Sequence, residues 1–88
     1  MVKENITVFI IEDDFLVATA IEYAVLSAQR KVTIHKFTSV ERALGSNFLQ
    51  PNIILTDHYL DRINGVDSLP VVTKVFPEAL IAVVSSQK

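Results

Sequence analysis

The six residues Ile6-Thr7-Val8-Phe9-Ile10-Ile11 constrain the fold of this chain more than any other stretch. They are β-rich, and apolar side chains fall on both sides of the pleat, so a strand built from them needs cover on two faces. Such a strand belongs inside a sheet with a layer above and a layer below. The run stops at three acids in a row, Glu12-Asp13-Asp14. Three more strand-like runs follow: Val32 to Phe37, Ile53 to Thr56 and Leu80 to Val84. The second alternates more than the others, which suits a strand nearer an edge.

The stretches between these runs favour helix. Phe15 to about Gln29 reads as one helix, with Asp14 placed to cap its start. Thr38-Ser39-Val40-Glu41 has the form of a capping box, opening a short helix toward Asn47. Pro51-Asn52 breaks the chain ahead of the third strand. After Asn64-Gly65 a third helix is expected from about Val66 to Val75, with Pro70 tolerable only in its first turn. Phe76-Pro77 stops it. The order β-α-β-α-β-α-β predicts an α/β fold, a doubly wound parallel sheet with right-handed crossovers and helices on both faces. The 88 residues allow one small domain, spanning 1–88.

Composition removes several function classes. The net charge is −2 with both signs mixed, so the electrostatic footprint of a nucleic-acid binder is missing. There is no cysteine, which excludes a disulfide framework and a thiolate metal site. No apolar run approaches the roughly 18 residues of a membrane span. The first residues lack a signal peptide's order of charge, apolar stretch and cleavage site, so a cytoplasmic protein is expected. Half of the residues are apolar, and mean hydropathy is positive, which is high for so short a soluble chain.

In open parallel sheets, ligands bind beyond the carboxyl ends of the strands. Here the first strand ends in Glu12-Asp13-Asp14, the third at Asp57 and the fourth at Ser85. With those strands adjacent, several carboxylates and a hydroxyl meet on one rim. Ionised carboxylates so close together repel unless a cation lies among them. An oxygen-only donor set suits Mg²⁺. A carboxylate beside Mg²⁺ can attack phosphorus and form an aspartyl-phosphate, and a nearby hydroxyl can bond the phosphoryl oxygens. Blander readings exist: acids at a helix start cap it and offset its dipole, and Asp is common in turns. The second is weakened because Asp57 ends a buried strand. A Ser-His-Asp triad of Ser85, His58 and Asp57 fails, since successive residues leaving a strand point opposite ways.

With these residues in this order at these strand ends, the chain from about Ile6 onward resembles the receiver domain of two-component response regulators. The resemblance implies a flavodoxin-like fold with strand order 2-1-3-4, lacking the family's last helix-strand-helix. It implies Mg²⁺ bound by Glu12, Asp13, Asp57 and the backbone carbonyl of Tyr59. Asp57 would be the phosphoacceptor and Ser85 the switch hydroxyl, with Leu60 and Gly65 at the family's apolar and glycine positions. The implied partners are a histidine kinase or phosphotransfer protein and, in a full-length parent, an output domain. The implied role is that of a switch, not an enzyme. Two departures stand out. Asp61 replaces a common proline, and the family's fifth-strand lysine has no counterpart, Lys88 lying too close to Ser85 and Lys74 in the third helix.

Two rivals remain. One is a truncated pseudo-receiver acting as an interaction or dimerisation module. The other is a Mg²⁺-dependent phosphatase with an aspartyl nucleophile, whose Asp-x-Asp motif is replaced here by Glu-x-Asp at positions 12–14. Over Phe15 to Ala28 the polar residues are Thr19, Glu22, Tyr23 and Ser27, a narrow wet stripe for a surface helix. The fourth strand carries no charge or proline to discourage pairing. A homo-oligomer is therefore expected, joined through strand four, the first helix or swapped segments.

Overall fold

A computed structural model describes residues 5–29, 31–57, 62–63 and 66–84. Its strands are β1 (Ile6–Ile11), β2 (Val32–Phe37), β3 (Ile53–Asp57), β4 (Arg62–Ile63), β5 (Val66–Asp67) and β6 (Leu80–Val84). Its helices are α1 (Phe15–Ala28), α2 (Val40–Leu44) and α3 (Leu69–Val75), with a 3₁₀ turn at Asn47–Leu49. β1 lies inside the main sheet, as its two apolar faces require. The order is β2-β1-β3-β6, and every pairing is parallel. Among the described residues, no helix is long and apolar enough to cross a membrane.

Alternation along the strands sorts the core into two clusters. Phe9, Ile11 and Ile54 face one way and are enclosed with Val40 and Ala43 of α2, Val72 of α3 and Phe76. Phe9 meets Phe37, Phe76 and His35 edge-on, with centroids 4.7, 5.6 and 5.8 Å away. Val8 and Ile10 face the other way, against Ala18 of α1. At the amino ends of the strands, Asn52 ties three of them together. Its side-chain oxygen accepts from the Thr7 N–H at 2.8 Å, its N–H donates to the Thr7 carbonyl, and its carbonyl accepts from Leu80.

Two local expectations need correction. The third helix starts at Leu69, not Val66, because Val66–Asp67 pairs antiparallel with Arg62–Ile63. Asn64-Gly65 is a common two-residue hairpin signature, and a start at Leu69 also brings Pro70 into the first turn. The cap of α2 is Ser39, whose hydroxyl accepts from the Arg42 N–H at 3.2 Å; Thr38 does not open the helix. A helix entered at Val40 turns both Val40 and Ala43 into the core, where each is buried. It ends at Leu44, and the chain toward Asn47 continues through Gly45 into the 3₁₀ turn.

Candidate metal centre

Register brings the acids together. β1 and β3 pair as Ile10↔Leu55 and Ile11↔Thr56, so one more step sets Glu12 beside Asp57. Both positions share the pleat parity of Val8, Ile10, Ile53 and Leu55, the face covered by α1. Carboxylate oxygens of Glu12, Asp13 and Asp57 all lie within 4.8 Å of one another. Asp57 is 0% exposed and Glu12 3%, while Asp13 is open to solvent. The cluster is thus buried on two sides and accessible from the third.

The three consecutive acids have different roles. Asp14 is the N-cap of α1, its Oδ1 accepting from the N–H groups of Leu16 at 2.9 Å and Val17 at 3.2 Å. Glu12 extends the strand pairing, with its N–H on the Phe37 carbonyl at 2.9 Å. Its Oε2 accepts from the Asp14 N–H at 3.0 Å. Capping therefore explains Asp14, and leaves Glu12 and Asp13 to the rim.

Burial pushes the Glu12 carboxyl above its ordinary value. The neighbouring carboxylates of Asp57 and Asp13 push the same way, and the Asp14 N–H opposes them. The donor set is all oxygen, acidic and self-repelling, with one side open. It fits a hard divalent cation that keeps some of its water.

A cavity of about 100 Å³ adjoins the acids, lined among others by Glu12, Asp13, Lys36 and Thr38. Lys36 and Thr38 were not singled out in the sequence, although β2 also ends on this rim, next to β1. Lys36 donates to Glu22 Oε1 at 2.7 Å and lies 5.6 Å from the Phe15 ring centroid. Tyr59 and Ser85, together with His58, Leu60, Asp61 and Gly65, lie outside the described residues. No protein-family model, curated protein or solved structure matches this chain.

Proposed function

We propose that this is a receiver-like phosphoacceptor domain of the flavodoxin-like class, acting in the cytoplasm. The observation that carries the reading is the convergence of Glu12, Asp13 and buried Asp57 at the carboxyl ends of two adjacent parallel strands. In this reading Asp57 accepts a phosphoryl group from the phosphohistidine of a kinase or phosphotransfer protein. A carboxylate oxygen of Asp57 attacks phosphorus, the phosphorus–nitrogen bond breaks, and the histidine nitrogen keeps the electron pair. Glu12, Asp13 and Asp57 would hold Mg²⁺, which offsets charge on the transferring group. The Tyr59 carbonyl would complete the protein ligands.

The main chain fixes Asp57 through its β3 pairing with Val84, so the nucleophile sits on a rigid element. Asp13, on the exposed side, faces the approach of the donor. The switch would follow when phosphoryl charge on Asp57 recruits the Ser85 hydroxyl and shifts contacts made near β6. Glu-x-Asp in place of Asp-x-Asp speaks against the phosphatase alternative.

Labelling with acetyl phosphate and Mg²⁺, read by intact mass, tests the reading. The wild-type chain should gain one phosphoryl group, and Asp57→Asn should gain none, because an amide cannot attack phosphorus. Equal labelling of Asp57→Asn would move the acceptor elsewhere. No labelling of the wild type under conditions where Mg²⁺ binds would favour the interaction-module alternative.

A further inference from the structure

α1 carries an apolar seam turned away from Ala18, the residue that packs on Val8 and Ile10 of the sheet. Leu16 is 77% exposed, Tyr23 72% and Leu26 45%. With Thr19 they form one stripe along the helix, at intervals of three, four and three residues. The stripe lies toward β2, since Phe15 and Glu22 beside it meet Lys36 of that strand. It carries no charge. Glu22 borders it but is tied back to Lys36, and the Thr19 hydroxyl is satisfied by donating to the Phe15 carbonyl at 2.9 Å. Between the side chains is a hollow of about 280 Å³, lined by Thr19, Glu22, Tyr23 and Leu26. Residues so spaced (i, i+3, i+4 and i+7) make the four-cornered hole that takes one side chain of a facing helix in a coiled coil.

We infer that this seam packs antiparallel against α1 of a second copy of the chain, about a two-fold axis level with Ile21. The spacing of the stripe reads the same in both directions, so an antiparallel copy meets it in step. Leu16 of each copy lies against Leu26 of the other, and Thr19 against Tyr23. Thr19 enters the four-cornered hole of the facing helix, and each Tyr23 ring lies over the other copy's Thr19 and exposed Ala20. Large side chains thus meet small ones at the centre, and leucine meets leucine at the ends. Isologous contacts of this kind close at two copies.

Charge selects the antiparallel orientation. Asp13 and Asp14 stand exposed just ahead of α1, and Lys31 stands exposed just behind it. An antiparallel partner brings the acids of one copy toward the lysine of the other and opposes the two helix dipoles. A parallel partner would bring like charges together at both ends. The seam runs about 15 Å from Leu16 to Leu26, a small interface, so the dimer forms at high rather than low micromolar concentration. This inference does not rest on the phosphoacceptor reading.

Leu16 and Leu26 belong to neither core cluster, so charging them leaves the fold of each copy intact. Sedimentation equilibrium of the wild-type 88-residue chain at high micromolar concentration should give a dimer. Leu16→Glu and Leu26→Lys should each shift it to monomer at that concentration, with circular dichroism unchanged. Combining the two changes should restore the dimer, because the antiparallel register sets each new acid against the new base of the other copy. In a parallel pair the double change would set like charges together. A wild-type monomer at high micromolar concentration, folded or not, overturns the inference. So does a dimer that either single change leaves intact, or a double variant that dimerises no better than the single ones.

Discussion

Under α2 and α3, the sheet's side chains Phe9, Ile11 and Ile54 are fully enclosed. Under α1, Val8 and Ile10 reach that state, but Ile6, Val32, Ile53 and Leu55 stay half-buried. They line an open groove of about 430 Å³ between the sheet and the carboxyl-terminal part of α1. The cause is width. Strands lie about 4.8 Å apart, and a helix with side chains spans about 10 Å, so one helix cannot roof four strands. α1 itself is apolar nearly all round, with Leu16 77% exposed and Tyr23 and Leu26 also open. The acids of the rim belong to this less finished face, since Glu12 and Asp57 share its parity. More of the fully buried core lies on one face, and the candidate chemistry is attached to the other.

The largest expected effect tests that contrast on adjacent residues. Ile54 and Ile53 are neighbours on β3 and face opposite ways, Ile54 into the closed core and Ile53 into the groove. Replacing a buried isoleucine by alanine costs about 2–5 kcal/mol, depending on the cavity left behind. Ile54→Ala should fall near the top of that range in urea unfolding, and Ile53→Ala at or below the bottom. Equal costs would mean that the groove is covered in solution and that the two faces do not differ.

The next effect is ligand linkage at the rim. A cation bound by the folded chain alone, at one hundred times its dissociation constant, stabilises by about 2.7 kcal/mol. Mg²⁺ should raise the wild-type unfolding midpoint accordingly, and Asp57→Asn should lose most of the gain. Amide shifts should appear first at Glu12, Asp13 and Asp57, then along β1 and β3, with Phe76 last. A response centred on Phe76 would detach the site from the open face.

Glu12 adds a pH dependence whose sign follows from its raised pKa. Its folded value lies above the unfolded 4.5, so between the two the native state holds the extra proton. Stability therefore falls as pH rises through that window. Glu12→Gln lacks the penalty and can still accept from the Asp14 N–H. Without divalent cation it should be more stable than wild type at neutral pH, with the advantage shrinking as pH falls from the raised folded value to the ordinary glutamate value and gone below it. A variant less stable at neutral pH would show that the Glu12 carboxylate is compensated within the folded chain.

The difference between the faces also explains what could be read from the sequence. Three of the four main strands were legible as short apolar runs, and β2 as a β-rich stretch in which apolar and polar residues mix. The acids were legible because they stand where buried strands stop. The small hairpin was not, since Asn64-Gly65 signals both a turn and a possible approach to a helix, and the pairs beside it are only two residues long. The α2 cap was misplaced by one residue because Thr38 and Ser39 are both good caps, and burial of Val40 and Ala43 decides between them. Lys36 and Thr38 went unnoticed at the rim because neither type signals a cation site alone. What brings them there is the pairing of β2 with β1.

A smaller effect concerns the start of α1. Asp14 receives two N–H groups of the first turn, and losing such a cap costs about 1 kcal/mol. Asp14→Ala should show that loss in urea unfolding, with faster amide exchange at Leu16 and Val17. The closed face should keep its protection. If exchange rose equally around Phe9 and Phe76, the two faces would open together, and their difference in packing would not extend to their motions.

The smallest expected effect lies where α1 is held to the edge of the sheet. Lys36 on β2 reaches Glu22 on α1 at 2.7 Å and lies near the Phe15 ring, with the two charged side chains 36% and 30% exposed. An ion pair this open to solvent is worth about 0.2–1 kcal/mol, and salt weakens it. Lys36→Met keeps an apolar stem against α1 and removes the charge, so it should cost under about 1 kcal/mol, with most of the loss gone at high salt. The same change removes a positive charge from the cavity that Glu12 and Asp13 share with it, and so should tighten Mg²⁺ binding while slightly lowering stability. The opposite signs separate two roles of one side chain. If instead the variant lost several kcal/mol, the Lys36–Glu22 pair would be holding α1 in place. Packing of Ala18 against Val8 and Ile10 would then contribute less to the open face than its burial suggests.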